Sequence, residues 1–74
     1  MQYDKLGKYI KQKRINCKMS LNKFALSIDV DSAILSRIEN LKQNVKLNVL
    51  VNIANGFGQT PAEFLHEFEN SDFA

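Results

Sequence analysis

The spacing of the apolar residues constrains this chain more than any other feature of its sequence. In the first half of the chain they fall into three groups that follow the spacing of about 3.6 residues of a helix. The groups are Leu6, Ile10 and Cys17; Leu21, Phe24, Ala25 and Ile28; and Leu35 and Ile38. No stretch sustains the alternation of apolar and polar residues that marks a half-buried strand. The pattern therefore predicts helices throughout.

Residues that start and end helices divide this pattern further. Helix 1 is predicted from an N-cap at Asp4 to about Asn16, and Ser20 is placed to cap helix 2. Asp29 tolerates a left-handed backbone, which predicts a tight turn before Asp31. Asp31 then caps helix 3, which is predicted to end near Asn40. The chain thus has two short helices around a tight turn.

The C-terminal part of the chain predicts two more helices. Apolar periodicity indicates helix 4 over residues 47–57, with a stop near Gly58. Gly56 lies inside this helix, where glycine is tolerated at some cost in stability. The run Thr60-Pro61-Ala62-Glu63 has an N-cap, a proline at the first helical position and a glutamate at the third. This is a capping box, and it predicts helix 5 over residues 61–69.

Length and composition exclude several classes of protein. The 74 residues fit one small domain, 1–74, whose core needs tight helix packing or a partner. Cys17 is the only cysteine, so no disulfide can form within the chain, and we expect a reduced, cytoplasmic protein. Cys17 itself is predicted to be a small core residue. The longest uncharged stretch, residues 47–62, is too short to span a membrane. His66 has no accompanying thiols or carboxylates, and no nucleophile–base pair or glycine-rich loop occurs. We expect no enzyme activity, metal, cofactor or small-molecule ligand.

The charges are distributed unevenly along the chain. All ten Lys and Arg residues lie before residue 47, and residues 1–46 carry a net charge of +6. Residues 47–74 carry four acidic residues and no basic ones. Such an asymmetry is typical of a protein with one face for a polyanion, although a solvated basic surface would give the same composition.

The residues from Met19 to Glu39, MSLNKFALSIDVDSAILSRIE, resemble the helix-turn-helix of the lambda-repressor and Cro-like family, also called the XRE family. The resemblance continues without a gap over nearly all of residues 6–66. It places Ala25 at the small position where helix 2 crosses helix 3, and Val30 at the buried position of the turn. It implies an all-α, five-helix lambda-repressor-like domain, with the helix-turn-helix at about residues 20–39, that binds double-stranded DNA.

A second segment resembles a subgroup of this family. The run from Gln43 to Leu47 is similar to the Arg-Asn-Ile-Ser-Leu run of the controller proteins of restriction-modification systems, which are small homodimers. The sequence also departs from the family at three positions. Leu21 replaces the usual glutamine that bonds the DNA backbone, and Asp29 and Leu41 replace usual glycines. These departures predict weaker phosphate contacts without loss of the fold.

The resemblance makes helix 3 the recognition helix. It places on the outward face of this helix four candidate base-reading residues: Ser32, Ala33, Ser36 and Arg37. Arg37 can bond guanine with two donors, the serines can donate or accept, and the methyl group of Ala33 can contact thymine. Because most of these side chains are small, DNA shape is expected to carry part of the specificity. An ordinary amphipathic surface helix is the alternative.

Residues near helix 3 are candidates for phosphate contacts. They are Lys18, Ser20, Lys23, Lys42, Asn44 and Lys46. For any one lysine, a solvated charge is an equal alternative. Arg14 and Glu39 stand where the family often has a partly buried ion pair between helix 1 and helix 3. An exposed Arg14 that contacts DNA is the alternative to this structural role.

Helices 4 and 5 carry more apolar residues than one narrow stripe needs. We assign Leu50, Ala54, Phe57 and Leu65 to the monomer core. Small members of the family dimerise through their C-terminal helices, so the remaining apolar residues predict a self-complementary dimer interface. These are Val49, Ile53, Phe64 and Phe68.

Together these features predict a sequence-specific transcriptional regulator, a homodimeric repressor or controller protein on a palindromic operator. The alternative is a protein-interaction or antitoxin-like module that keeps the fold with weak or no DNA binding. Leu21, Asp29 and Asp31 favour this alternative.

Overall fold

Five helices connected by short turns make up the computed structural model, which describes residues 3–74. They are α1 (Leu6–Asn16), α2 (Leu21–Ser27), α3 (Ser32–Glu39), α4 (Leu47–Gly56) and α5 (Pro61–Glu69). No strand occurs among residues 3–74, which confirms the all-α prediction. None of these helices combines the length and the apolar character that crossing a membrane requires.

Side chains cap three of the helices at the predicted residues. Ser20 accepts a hydrogen bond from the Lys23 amide at 3.2 Å, and Asp31 accepts one from the Ala33 amide at 2.7 Å. At α5 the capping box is complete, because Thr60 and Glu63 each accept a bond from the backbone amide of the other. Local hydrogen bonding at these residues therefore starts α2, α3 and α5.

The predicted N-cap of helix 1 is wrong. Asp4 lies in a turn, and the N-cap position belongs to Lys5, whose side chain makes no capping bond. The first amide of α1, that of Leu6, donates to the Tyr3 carbonyl of the preceding turn at 3.1 Å instead. A side-chain cap is not needed where the preceding turn supplies the acceptor.

The first four helices end in the same way. The residue that follows each C-cap has a positive φ: Lys18 at 59°, Asp29 at 57°, Leu41 at 60° and Gly58 at 74°. In each case this residue and the next donate to the last turn of the helix, as in the pair Asp29 to Leu26 and Val30 to Ala25. These are Schellman motifs, and three of them use a residue other than glycine.

The core draws on all five helices. Ile10, Phe24, Leu35, Ile53 and Phe64 have almost no exposed surface. Two glycines allow the helices to approach closely. A Cβ atom at Gly7 would lie 1.9 Å from the Ile38 carbonyl oxygen, and one at Gly56 would lie 2.3 Å from the Ile28 side chain.

The structure contradicts most of the predicted dimer interface. Ile53, Phe64 and Phe68 are completely buried in the monomer, and Val49 is half-buried against the same core. The reason is that α1 covers the aromatic face of α5, with the Tyr9 ring centroid 5.6 Å from that of Phe64 and 5.3 Å from that of Phe68. These phenylalanines stabilise the monomer and are not available on its surface.

Three further core assignments change. Leu50 and Ala54 are buried as predicted, whereas Phe57 and Leu65 are only partly buried. Cys17 is exposed rather than a core residue, because α1 ends at Asn16 and the C-cap position turns its side chain towards solvent.

Candidate nucleic-acid interface

The turn between α2 and α3 sets the direction in which α3 presents its side chains. Ala25 is buried and Val30 is half-buried, as expected for the crossing point and the turn. Leu35 and Ile38 bury one side of α3 against the core. The opposite side of α3 is left facing outward.

The four candidate base-reading residues differ in how exposed their side chains are. Ser32, Ala33 and Arg37 are exposed, whereas Ser36 is half-buried. Asn40 partly covers Ser36, since its Nδ2 donates to the Ser36 carbonyl at 2.9 Å and lies 3.4 Å from the hydroxyl. The uncovered surface of α3 is therefore centred on Ser32, Ala33 and Arg37.

Gln43 also contributes to this surface, although no sequence pattern indicated it. Its Oε1 accepts a hydrogen bond from Arg37 Nε at 3.0 Å. The bond ties the guanidinium to the loop after α3 and leaves the terminal nitrogens of Arg37 free to donate elsewhere. A glutamine six residues after an exposed arginine, in a loop, gave no periodic signal that could have revealed this contact.

Asp31 is occupied by its capping role. The carboxylate accepts from the Ala33 amide, so its negative charge lies against the positive end of the α3 dipole. This partly neutralises the charge beside the outward face of α3.

All six candidate phosphate-contacting residues are exposed: Lys18, Ser20, Lys23, Lys42, Asn44 and Lys46. They come from the turn after α1, the start of α2 and the loop between α3 and α4. The hydroxyl oxygen of Ser20 accepts a bond from Lys23, but its hydrogen remains available to a phosphate oxygen.

Arg14 and Glu39 form a buried, bidentate ion pair. Arg14 Nε lies 2.8 Å from one Glu39 oxygen and Nη2 lies 2.9 Å from the other. The third nitrogen, Nη1, donates to the Met19 carbonyl at 2.6 Å. The bond to Glu39 raises the pKa of Arg14. The pair joins α1 to the end of α3, and an Arg14 exposed to DNA is ruled out.

Lys13 is also paired, which the sequence did not predict. Its Nζ lies 2.6 Å from Glu67 Oε1 and 5.2 Å from the Phe57 ring centroid. Tyr9 donates its hydroxyl to the same carboxylate, and Gln59 donates to the other oxygen at 2.9 Å. The bond from Lys13, followed by that from Tyr9, lowers the pKa of Glu67 to about 2. The charge of Lys13 therefore stabilises the contact between α1 and α5.

The departure from the family at Leu21 has a structural explanation. Leu21 is partly buried and packs against the core. The apolar side chain adds to the contact between α2 and the rest of the molecule.

No group of three or more metal-ligating side chains occurs within residues 3–74.

Two short helices around a tight turn, with the outer side of the second helix uncovered and basic residues on both flanks, define a helix-turn-helix DNA-binding domain. A family model described as Helix-turn-helix matches residues 10–64, well over half of the chain. The chain belongs to this family, as a DNA-binding regulator of the XRE type. Neither the curated proteins nor the solved structures gave a significant match.

Proposed function

We propose that this chain is a homodimeric transcriptional repressor or controller protein that reads a palindromic operator through α3. The observation that carries the proposal is the uncovered face of α3, with Ser32, Ala33 and Arg37 exposed. The exposed lysines around this face supply the positive charge that attracts a duplex, and the exposed amide of Asn44 supplies hydrogen-bond donors for phosphates.

Base reading rests mainly on Arg37. Its guanidinium is held by Gln43 through Nε, and the two terminal nitrogens can bond O6 and N7 of one guanine. Ser32 can donate or accept, and Ala33 offers a methyl group to thymine. Ser36 has a smaller part, because Asn40 lies against it. With so few long side chains, part of the specificity comes from DNA shape.

A dimer provides a second copy of this small reading surface, which can contact the second half-site of the operator. Recognition helices of a two-fold dimer contact the major groove one helical turn apart, about 34 Å. The described residues extend over 29 × 25 × 23 Å. Two monomers of this width, lying side by side, match the spacing of the recognition helices when each α3 lies farther from the two-fold axis than the centre of its monomer does.

The second candidate is a protein-interaction or antitoxin-like module. Leu21 packs inward and has no polar group that could bond a phosphate, and Leu26 on α2 is 84% exposed, which suits a protein partner. The two candidates differ in whether duplex DNA alone is bound with sequence preference.

Selection of bound duplexes from a random pool, followed by footprinting, tests the proposal. We expect an inverted repeat whose half-sites are one helical turn apart. We also expect affinity to fall steeply with salt, by about 0.9 log unit per log unit of salt for each phosphate neutralised. Selection of no sequence, together with binding that is insensitive to salt, would favour the protein-interaction module.

A further inference from the structure

The segment that follows α5, residues 70–74, places the ring of Phe73 against α1. The ring is half-buried, and its centroid lies 5.8 Å from that of Tyr9. The hydrogen bonds of this segment go to the last turn of α5 or to the segment itself, for example from the Ser71 hydroxyl to the Phe68 carbonyl at 2.6 Å. Among the described residues, no hydrogen bond joins the segment to α1. Phe73 is therefore the anchor of the segment, and its release from α1 breaks no hydrogen bond between them.

Phe73 lies between two cavities on the outer side of α1, which we call together the α1 groove. The first cavity has a volume of about 370 Å³ and the second a volume of about 240 Å³. Both are lined by Phe73 and Gln12, so the two cavities adjoin at the ring. The groove therefore has room for further side chains on either side of an aromatic residue. Its wall on α1 consists of Lys8, Lys11, Gln12, Ile15 and Asn16.

The first cavity of the α1 groove is basic. Lys8 and Lys11 line it, both are exposed, and neither forms an ion pair with a carboxylate of residues 3–74. Glu39 also lines this cavity, but both oxygens of its carboxylate are bonded to Arg14. The charge that remains for a ligand is that of the two ammonium groups, and it favours an acidic partner.

The groove also leaves apolar surface uncovered. Ile15 lines the first cavity and is 47% exposed. In the second cavity, Lys13 and Glu67 are paired, so their charges do not oppose an acidic partner. None of the residues that the proposed function assigns to bases or phosphates lines either cavity. The α1 groove is thus a separate surface, with an aromatic site, an exposed isoleucine and two lysines that have no other role.

We propose that the α1 groove binds an acidic peptide segment of a partner protein, whose aromatic side chain takes the place of Phe73. The chain's own segment shows the chemistry, because Phe73 follows the acidic Asp72 and its ring packs on α1. A partner segment with further carboxylates can also pair with Lys8 and Lys11, which Asp72 does not do. Aromatic side chains are frequent anchors of protein interfaces.

Residues 70–74 select among partners by competing with them. Because the segment is tethered to α5, its ring meets α1 at an effective concentration on the order of millimolar. A segment that offers only an aromatic ring gains no advantage over Phe73. A segment that also pairs with Lys8 and Lys11 has contacts that residues 70–74 lack, so it displaces them.

The probe for this proposal is a synthetic peptide that repeats residues 69–74, with two acidic residues and one phenylalanine. Amide chemical shifts of the isotope-labelled 74-residue chain report its binding. We expect the peptide to shift α1 resonances of Phe73→Ala and to bind this variant at least about tenfold more tightly than the parent chain, in which Phe73 occupies the site. The same peptide with alanine in place of its phenylalanine should bind neither chain.

Charge is tested in the Phe73→Ala background. Adding Lys8→Glu and Lys11→Glu should weaken peptide binding about fivefold or more, because two attractive charges become repulsive. Adding Lys23→Glu and Lys42→Glu is the matched control, since it makes the same change in net charge at exposed residues outside the groove. We expect this control to leave peptide binding unchanged.

Circular dichroism checks folding, and Phe73→Leu, which keeps an apolar contact with Tyr9, is the second variant if Phe73→Ala unfolds. The proposal is wrong if both variants unfold, or if the peptide binds the folded variant no more tightly than the parent chain. It is also wrong if the lysine substitutions in α1 weaken binding of duplex DNA and leave peptide binding unchanged. Association of the parent chain in sedimentation that Phe73→Ala abolishes would assign the groove to a second copy and overturn the proposed partner.

Discussion

Arg37 and Gln43 are linked by a hydrogen bond of 3.0 Å at the edge of the α3 surface. An exposed arginine side chain otherwise samples many rotamers, and fixing them on binding costs free energy. A bond that holds Nε before DNA arrives reduces this cost. In the proposed function, Gln43 thus positions the arginine that reads bases, from a loop whose sequence indicated only phosphate contacts.

We expect Arg37→Ala to cost about 1 to 3 kcal/mol on the selected duplex and to relax the preference at one base pair. Gln43→Ala should cost less, about 0.5 to 1 kcal/mol, at the same base pair. Lys42→Ala is the control, because loss of a phosphate contact weakens specific and random duplexes alike. Fluorescence anisotropy on both duplexes measures these effects. Equal losses for Arg37→Ala on the two duplexes would remove α3 from the recognition role.

The Arg14–Glu39 pair leads to a different prediction, because both side chains are almost fully buried, at 9% and 3% exposure. Removing one charge leaves the other desolvated without a partner, so Glu39→Met should lower the free energy of unfolding by about 3 kcal/mol. The double variant Arg14→Met/Glu39→Met should recover more than half of this loss, because an apolar pair needs no compensation. Thermal unfolding of the parent and the variants measures the difference. A double variant that is less stable than Glu39→Met would contradict this account.

Three helix ends carry backbone strain, because a residue other than glycine occupies a left-handed conformation there. Lys18, Asp29 and Leu41 hold φ values between 57° and 60°, where a side chain is disfavoured. The Schellman bonds at each of these helix ends hold them there. Three of the four connections in this domain are therefore sharper than their residues prefer.

Asp29→Gly should relieve this strain at the turn of the helix-turn-helix. Relief of the left-handed conformation outweighs the greater freedom of glycine in the unfolded chain, giving about 0.5 kcal/mol of stabilisation. The melting temperature should rise by about 2 to 4 °C. Asp29→Asn, which also tolerates this conformation, should change little, and Gly58→Ala should destabilise by about 1 kcal/mol. A lower melting temperature for Asp29→Gly would show that the Asp29 side chain contributes more than its backbone costs.

Across the whole molecule, the charges form two separate systems. Lys13 and Arg14 neutralise Glu67 and Glu39 and connect α1 to α5 and α3. The exposed lysines around α3 have no such partners in the described residues and remain for a polyanion. In the proposed function, the basic half of the sequence therefore contributes both to stability, through Lys13 and Arg14, and to DNA binding, through the exposed lysines.

The Glu67 cluster predicts how stability depends on pH. The folded state lowers the pKa of Glu67 to about 2, whereas the pKa of a glutamate in the unfolded chain is about 4.3. The contribution is therefore present above about pH 4.3 and is lost as the pH falls towards 2. Because the carboxylate is 45% exposed, solvent screening limits this contribution to about 1 kcal/mol or less.

Glu67→Gln should reduce the loss of stability between pH 7 and pH 3 relative to Glu69→Gln, which removes an equal charge from the same helix. Thermal unfolding at a series of pH values provides the measurement. An unchanged pH dependence in Glu67→Gln would mean that the cluster does not hold the carboxylate ionised.

Local chemistry in the sequence determined most of the architecture of this protein. Ser20, Asp31 and Thr60 cap helices through bonds to residues two or three positions away, so these helix starts could be predicted without tertiary structure. The failure at Asp4 has the same origin, because a backbone carbonyl replaced the expected side chain. The exposed side of α3 and its flanking lysines also followed from the family pattern.

Tertiary structure alone decided which apolar side of α4 and α5 is covered. Both helices have more apolar residues than one stripe, so helical periodicity is compatible with burial of Phe64 and Phe68 or with their exposure. Their burial depends on packing against Tyr9 of α1, more than fifty residues away along the chain. The pairing of Lys13 with Glu67 depends on the same packing of α1 against α5. Contacts between residues distant in sequence leave no local pattern, because they are set by how complete helices pack and not by the preferences of neighbouring residues.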